Sequence, residues 1–303
     1  MTKSSDMTLH PGESARAGVC RVADSLIQET LGSIRKPGSD PAENVHLIRT
    51  TTKRLRAFLR LLRPVISREV CERENARCKR VARQFASARG SSVARETLAA
   101  LLQVAAEPGA RARSIVKRFP DSSASLPDRS APEMAMDEAA RELKNVRRAF
   151  RDLRGSPDDW ALLGSGLERV YKQARRRMKA AFAEKSDDGF HRWRIRVKAL
   201  RYLLQLLESM WPKRLSKTIA SLRELEKTLG DNHDISELKF ILGSASSKLG
   251  SGDVLGRVNT SAHVEMRRLR RASHALGKKV FENKPRRFVR QIERRWLDWQ
   301  KAP

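Results

Sequence analysis

Apolar residues recur along this chain at the three- and four-residue intervals of an α-helix, and the gaps between the runs carry Pro, Gly, Ser and Asp. Val19, Val22, Leu26, Ile27, Leu31 and Ile34 share one face of a helix predicted over residues 14–35, which Lys36-Pro37-Gly38-Ser39-Asp40-Pro41 ends. Further helices are predicted up to Pro64, then over 67–89, 93–106, 110–119 and 133–154, with the Ser-, Pro- and Asp-rich stretch 120–132 as a flexible linker. The second half continues with helices over 159–184, from 190 to the stop at Trp211-Pro212, and over 215–229, 235–249, 254–281 and 287–299. Gly230-Asp231-Asn232-His233-Asp234 reads as a helix end followed by a capped restart. Residues 1–13 lack any periodicity and are expected to form a disordered tail. No alternating strand pattern occurs, so the predicted fold is all-α. It is read as two related antiparallel helical bundles, residues 14–155 and 156–283, with a C-terminal helix in 284–303.

One stretch occurs twice. Aligned without a gap, His46, Arg49, Lys53, Leu55 and Arg56 fall on His191, Arg194, Lys198, Leu200 and Arg201, a repeated H-x2-R-x3-K-x-L-R. At about 100° per residue, the His, Arg, Lys and Arg occupy a sector of about 80°, and the Leu points away from them. Each copy is thus a helix with a cationic stripe and a separate apolar stripe, and Trp193, outside the basic sector, is expected in the core. A solvated face needs only polar residues; it does not need the same four in the same order twice. A third row, Arg169, Lys172, Arg176 and Lys179, keeps four more cations on one face of the helix that precedes the second copy.

Composition sharpens this picture. Lys and Arg number 63 against 35 Asp and Glu, a formal net charge of +28 over 303 residues. Self-repulsion of that size favours a polyanionic partner: nucleic acid, an anionic membrane surface or a polyphosphate. Aromatic residues make up only 5% of the chain, which leaves a core of Leu, Val, Ile and Ala and few platforms for stacking bases. Cys20, Cys71 and Cys78 are too few and too scattered for a disulfide framework. No signal-like apolar segment and no membrane-spanning run occurs, so the expected compartment is the cytoplasm, with no membrane insertion.

The doubled helix, its continuation Lys198-Ala199-Leu200-Arg201-Tyr202, and the later Leu229-Gly230-Asp231-Asn232-His233-Asp234 resemble the CHAD family of histidine-containing α-helical domains over about residues 14–281. The resemblance implies a pseudo-symmetric pair of helical bundles around a central basic cavity that binds inorganic polyphosphate. It also implies a stand-alone module, because no E-x-E-x-K strand signature precedes the helices, and an association with polyphosphate granules. The expected contacts are His46, Arg49, Lys53, Arg54, Arg56 and Arg89 from the first half, and Arg169, Lys172, Arg176, His191, Arg194, Lys198, Arg201 and His233 from the second. Where such a domain usually has Arg followed by Asp, this chain has Arg89-Gly90, so the corner at His233 and Asp234 is expected to be the better formed.

The chemistry fits a polymer without sequence. Arg presents a planar fork to phosphate oxygens, and Lys presents a mobile point charge. No G-x4-G-K-[ST] loop and no clustered acidic set to hold Mg²⁺ is present, so the chain is expected to be a binding protein, not an enzyme, with no metal or cofactor. Nucleic acid is the rival partner and polyphosphate hydrolysis or transfer the rival activity. His46 and His191 are expected to gain a proton as phosphate binds.

Overall fold

In the computed structural model the described residues are 7–85, 90–107, 109–119, 130–153, 160–244 and 252–301. Among them are α-helices and one 3-10 turn, and no strand. The helices are α1 (Ala15–Arg35), α2 (Pro41–Leu62), α3 (Arg68–Gln84), α4 (Gly90–Val104), α5 (Gly109–Arg118), α6 (Ser130–Asp152), α7 (Trp160–Glu184), α8 (Asp187–Leu206), α9 (Pro212–Ser244), α10 (Gly252–Val280) and α11 (Pro285–Gln300). The turn is Glu208–Met210.

Local chemistry sets most of these boundaries. Ser14, Asp40, Ser67 and Ser186 each accept a backbone N–H from the first turn of the helix they precede. Pro41 opens α2 at a position where the missing N–H costs nothing. Asp187 and Asp188 place negative charge at the positive end of α8. Asp158 and Asp159, either of which is a plausible N-cap for α7 from sequence, and most of the predicted linker lie outside the described residues; α6 begins at Ser130, inside that linker.

Two predicted boundaries are wrong. Gly230-Asp231-Asn232-His233-Asp234 does not interrupt the chain: α9 runs through it without a break. Tertiary contacts override the local turn preference there. Gly230 lies under the Arg194 guanidinium, where a Cβ would come within 3.1 Å of Nη2. Asn232 is buried and accepts a hydrogen bond from Arg270 Nε at 3.1 Å. The second error concerns residues 7–13, read as part of a disordered tail but docked in the structure. Leu9 is buried, its N–H donates to Leu206 O at 3.0 Å, and its carbonyl accepts from Ser209 Oγ at 2.7 Å. Gly12 N–H donates to Gln300 Oε1 at 2.9 Å. A single anchoring Leu in a polar stretch has no period to detect.

The apolar interior does not divide at residue 155. One core draws Val19, Leu26 and Leu55 from the first half together with Leu167, Trp193 and Leu200 from the second. A satellite core joins Leu98 and Leu102 of α4 to Leu238 of α9 and Val258 and Met266 of α10. α2 and α8, the two repeat helices, pack against each other, and α7 packs on both. The closest approach is at Gly166, where a Cβ would lie 2.0 Å from Leu61 O, so α7 meets the backbone of α2 directly. α11 covers the other side of α7 through Trp296 stacked on Trp160 at 4.9 Å and Phe288 stacked on Tyr171 at 4.3 Å.

Candidate functional site

The apolar stripes of α2 and α8 fix what their basic stripes face. Ile48, Leu55, Phe58, Leu59 and Leu62 are buried on α2, and Phe190, Trp193, Val197, Leu200 and Leu204 on α8. The cations between these positions are held half-buried at the junction of α2, α3, α7, α8 and α9.

On α8 the stripe is partly neutralised. Lys198 Nζ and Arg201 Nε meet the two oxygens of Glu226 on α9 at 2.8 and 2.7 Å. Burial alone would raise the Glu226 pKa, but Lys198 and Arg201 hold it below the usual carboxylate range. Burial pushes Lys198 down in spite of Glu226. Arg201 also donates to Gln205 Oε1 at 2.9 Å and lies 4.5 Å from the centre of the Tyr202 ring. Arg54 of α2 approaches the same ring at 5.6 Å, so Tyr202 is where the two repeat helices bring their cations together.

On α2 the corresponding position has no acid. Arg56 Nε donates to the neutral Asn75 Oδ1 at 3.1 Å, where Arg201 meets Glu226. Arg60 lies one turn further on and donates to Arg56 O at 3.2 Å. Arg196 of α8 completes a triangle of like charge. Burial, then Arg56 and Arg196, depress the Arg60 pKa to about 9. Burial, then Arg177 and Arg56, depress Arg196; burial and Arg83 depress Arg56. Among the described residues none of Arg56, Arg60 and Arg196 pairs with a carboxylate. A partly desolvated cluster of unneutralised guanidinium groups is a site for an anion with several acceptor oxygens.

The remaining expected residues divide. Arg49 Nη1 donates to Phe85 O at 2.7 Å, and Lys53 is half-buried on the same side of α2. Arg169 Nη2 donates to Arg60 O at 2.5 Å, which places it beside the cluster. Lys172 and Arg176, predicted to share its row, are exposed on α7. His191 and His233 meet with Nδ1 atoms 3.3 Å apart, and Arg194 is close to both. Burial, then the partner imidazole and Arg194, lower the His191 pKa; burial is also the main cause for His233. His46, the repeat equivalent of His191, is exposed and makes no side-chain hydrogen bond among the described residues. The two histidines of the repeat therefore stand in different surroundings. Arg89 lies outside the described residues.

Two cations of the cluster, Arg60 and Arg196, and the neighbouring Arg177 were missed from sequence. Arg60 prolongs the spacing Arg49, Lys53, Arg56 by one turn, a continuation the second copy lacks because Gln205 stands there. Arg177 interrupts the buried series Val170, Ala174 and Ala181 on α7, and a cation in an apolar series is a readable signal. Arg196 has no equivalent in the first copy, where Thr51 stands, so the repeat carries no signal for it.

A family model described as the CHAD domain matches residues 23–242, more than half of the chain. The chain belongs to the CHAD family. The matched segment of this CHAD domain contains both repeat helices, the Arg56–Arg60–Arg196 cluster and the His191–His233 pair, and it ends before α10 and α11. Comparison with curated proteins returns no match. Among the described residues of the CHAD protein no helix is long and apolar enough to cross a membrane.

Proposed function

We propose that this CHAD domain binds inorganic polyphosphate without transforming it, along the cationic groups that α2, α7 and α8 bring together. The observation that carries the reading is the Arg56, Arg60 and Arg196 cluster, half-buried and without a carboxylate partner, in a chain of net charge +28. Desolvated like charges raise the energy of the empty site, and a phosphate chain threaded among them relieves that repulsion. Polyphosphate supplies oxygen acceptors at every unit and no base edges, which suits forked donors that read no sequence. Localisation to polyphosphate granules follows from this reading.

The test is a calorimetric titration of defined-length polyphosphate into the wild type and an Arg60→Gln/Arg196→Gln variant. The variant is expected to bind about 100-fold more weakly, the loss of two charge-assisted contacts of about 1.5 kcal/mol each. Binding should weaken steeply with added salt through counterion release. Equal affinity in both proteins refutes the site. Orthophosphate release on incubation with polyphosphate and Mg²⁺ refutes the non-catalytic reading, and displacement of polyphosphate by duplex DNA at equal phosphate concentration favours the nucleic-acid rival.

A further inference from the structure

α11 lies outside the family-matched segment and carries a charge pattern the inner cluster does not use. Its buried face, Val289, Ile292 and Trp296, anchors it on α7. Its outer face presents Arg287, Arg290 and Arg294, all exposed, and none has a carboxylate partner among the described residues. The spacing 0, 3, 7 keeps the three within a sector of about 60° and spreads them over about 10 Å of helix. Next to this row is a cleft of about 540 Å³ with Lys217 and Lys279 exposed along it, and Gln291 borders both cleft and row. The cleft also has Glu282 on its wall, paired with Arg214, but Lys217 of α9, Lys279 of α10 and the three arginines of α11 leave a clear positive excess drawn from three helices.

α7 separates this surface from the inner cluster. Arg169 and Gly166 of α7 touch α2, whereas Trp160 and Tyr171 touch α11. The inner cluster and the α11 row therefore lie on different faces of α7, and only an anion long enough to pass around that helix could touch both. We propose that Arg287, Arg290 and Arg294, with Lys217 and Lys279 beside them, form a second, outer track for the same polyphosphate chain, so that long chains bind both tracks and short chains only the inner one. This rests on the reading of polyphosphate as the ligand. Once one end is held inside, the outer contact is intramolecular, and its effective concentration raises affinity without any new inner contact.

The experiment titrates tripolyphosphate, long-chain polyphosphate and duplex DNA into three proteins: wild type, the triple variant Arg287→Gln/Arg290→Gln/Arg294→Gln, and the same positions changed to Lys. In the Gln variant long-chain affinity is expected to fall by about tenfold or more and tripolyphosphate affinity to stay within about twofold of wild type. The Lys variant, which keeps the charge, should bind long chains as wild type does, and a circular dichroism melt should leave all three folded alike. Unchanged long-chain affinity in the Gln variant overturns the proposal. Loss of tripolyphosphate affinity in that variant also overturns it, because the tracks would then not be separate. If the Gln variant loses only duplex DNA binding, the surface serves nucleic acid and the proposal again fails. A wild type that binds neither phosphate polymer removes the underlying reading and this inference together.

Discussion

The two copies of the basic helix carry the same four residues and end in different electrostatic surroundings. In the α8 copy Glu226 pairs with both Lys198 and Arg201 and offsets part of their charge. In the α2 copy Asn75 offers Arg56 a hydrogen bond and no charge, and Arg60 and Arg196 add two more cations beside it. The stripe itself does not set its net charge. The residue on the packed third helix does, Glu226 on α9 or Asn75 on α3. The α8 stripe is braced by a carboxylate at Arg201, and the α2 stripe has a neutral amide at the matching Arg56.

Exchanging those two residues breaks the comparison most directly. Asn75→Glu should give Arg56 a carboxylate partner, with polyphosphate affinity falling about tenfold, equal to about 1.4 kcal/mol, and the melting temperature rising; calorimetry and a thermal melt read both. Glu226→Gln should do the reverse. It leaves Lys198 and Arg201 without their partner, lowers stability by about 2–3 kcal/mol in a denaturant titration and strengthens polyphosphate binding.

A smaller effect separates the histidines. The His191 and His233 pKa values are lowered in the folded protein, so the unfolded chain takes up more protons as the pH falls. Their contribution to stability is complete above about pH 6.5 and is lost as the pH falls through the folded-state values. A melt series on the ligand-free protein should show this decline, and His191→Asn/His233→Asn should flatten it. Bound phosphate favours the imidazolium, so polyphosphate affinity should rise over the same descending range and that rise too should vanish in the double variant. The smallest effect is expected at His46, which is exposed: His46→Asn should change affinity by less than about twofold in the same titration.

Helical periodicity was sufficient to place most helices, because each buries one apolar stripe and the spacing survives in the residues, as at Val19, Val22 and Leu26. The repeat was also enough to single out the α2 and α8 cations, and Trp193 is buried as its position off the basic sector predicts. What sequence concealed depends on contacts between distant segments. The polar run 230–234 passes for a turn until Arg194 and Arg270 are seen packed on it. His46 and His191 look equivalent in alignment, yet only His191 has an imidazole from α9 beside it. Arg177, Arg60 and Arg196 escape a search for repeated residues because each stands where the other copy, or the rest of its own seam, has something else.

The contact between Gly166 and the Leu61 carbonyl leaves no side-chain layer between α7 and α2 at that level. The spacing of these two helices is therefore fixed by main chain. Exchanges among the neighbouring arginines alter charge without touching that spacing, whereas any side chain at position 166 would push α7 and α2 apart.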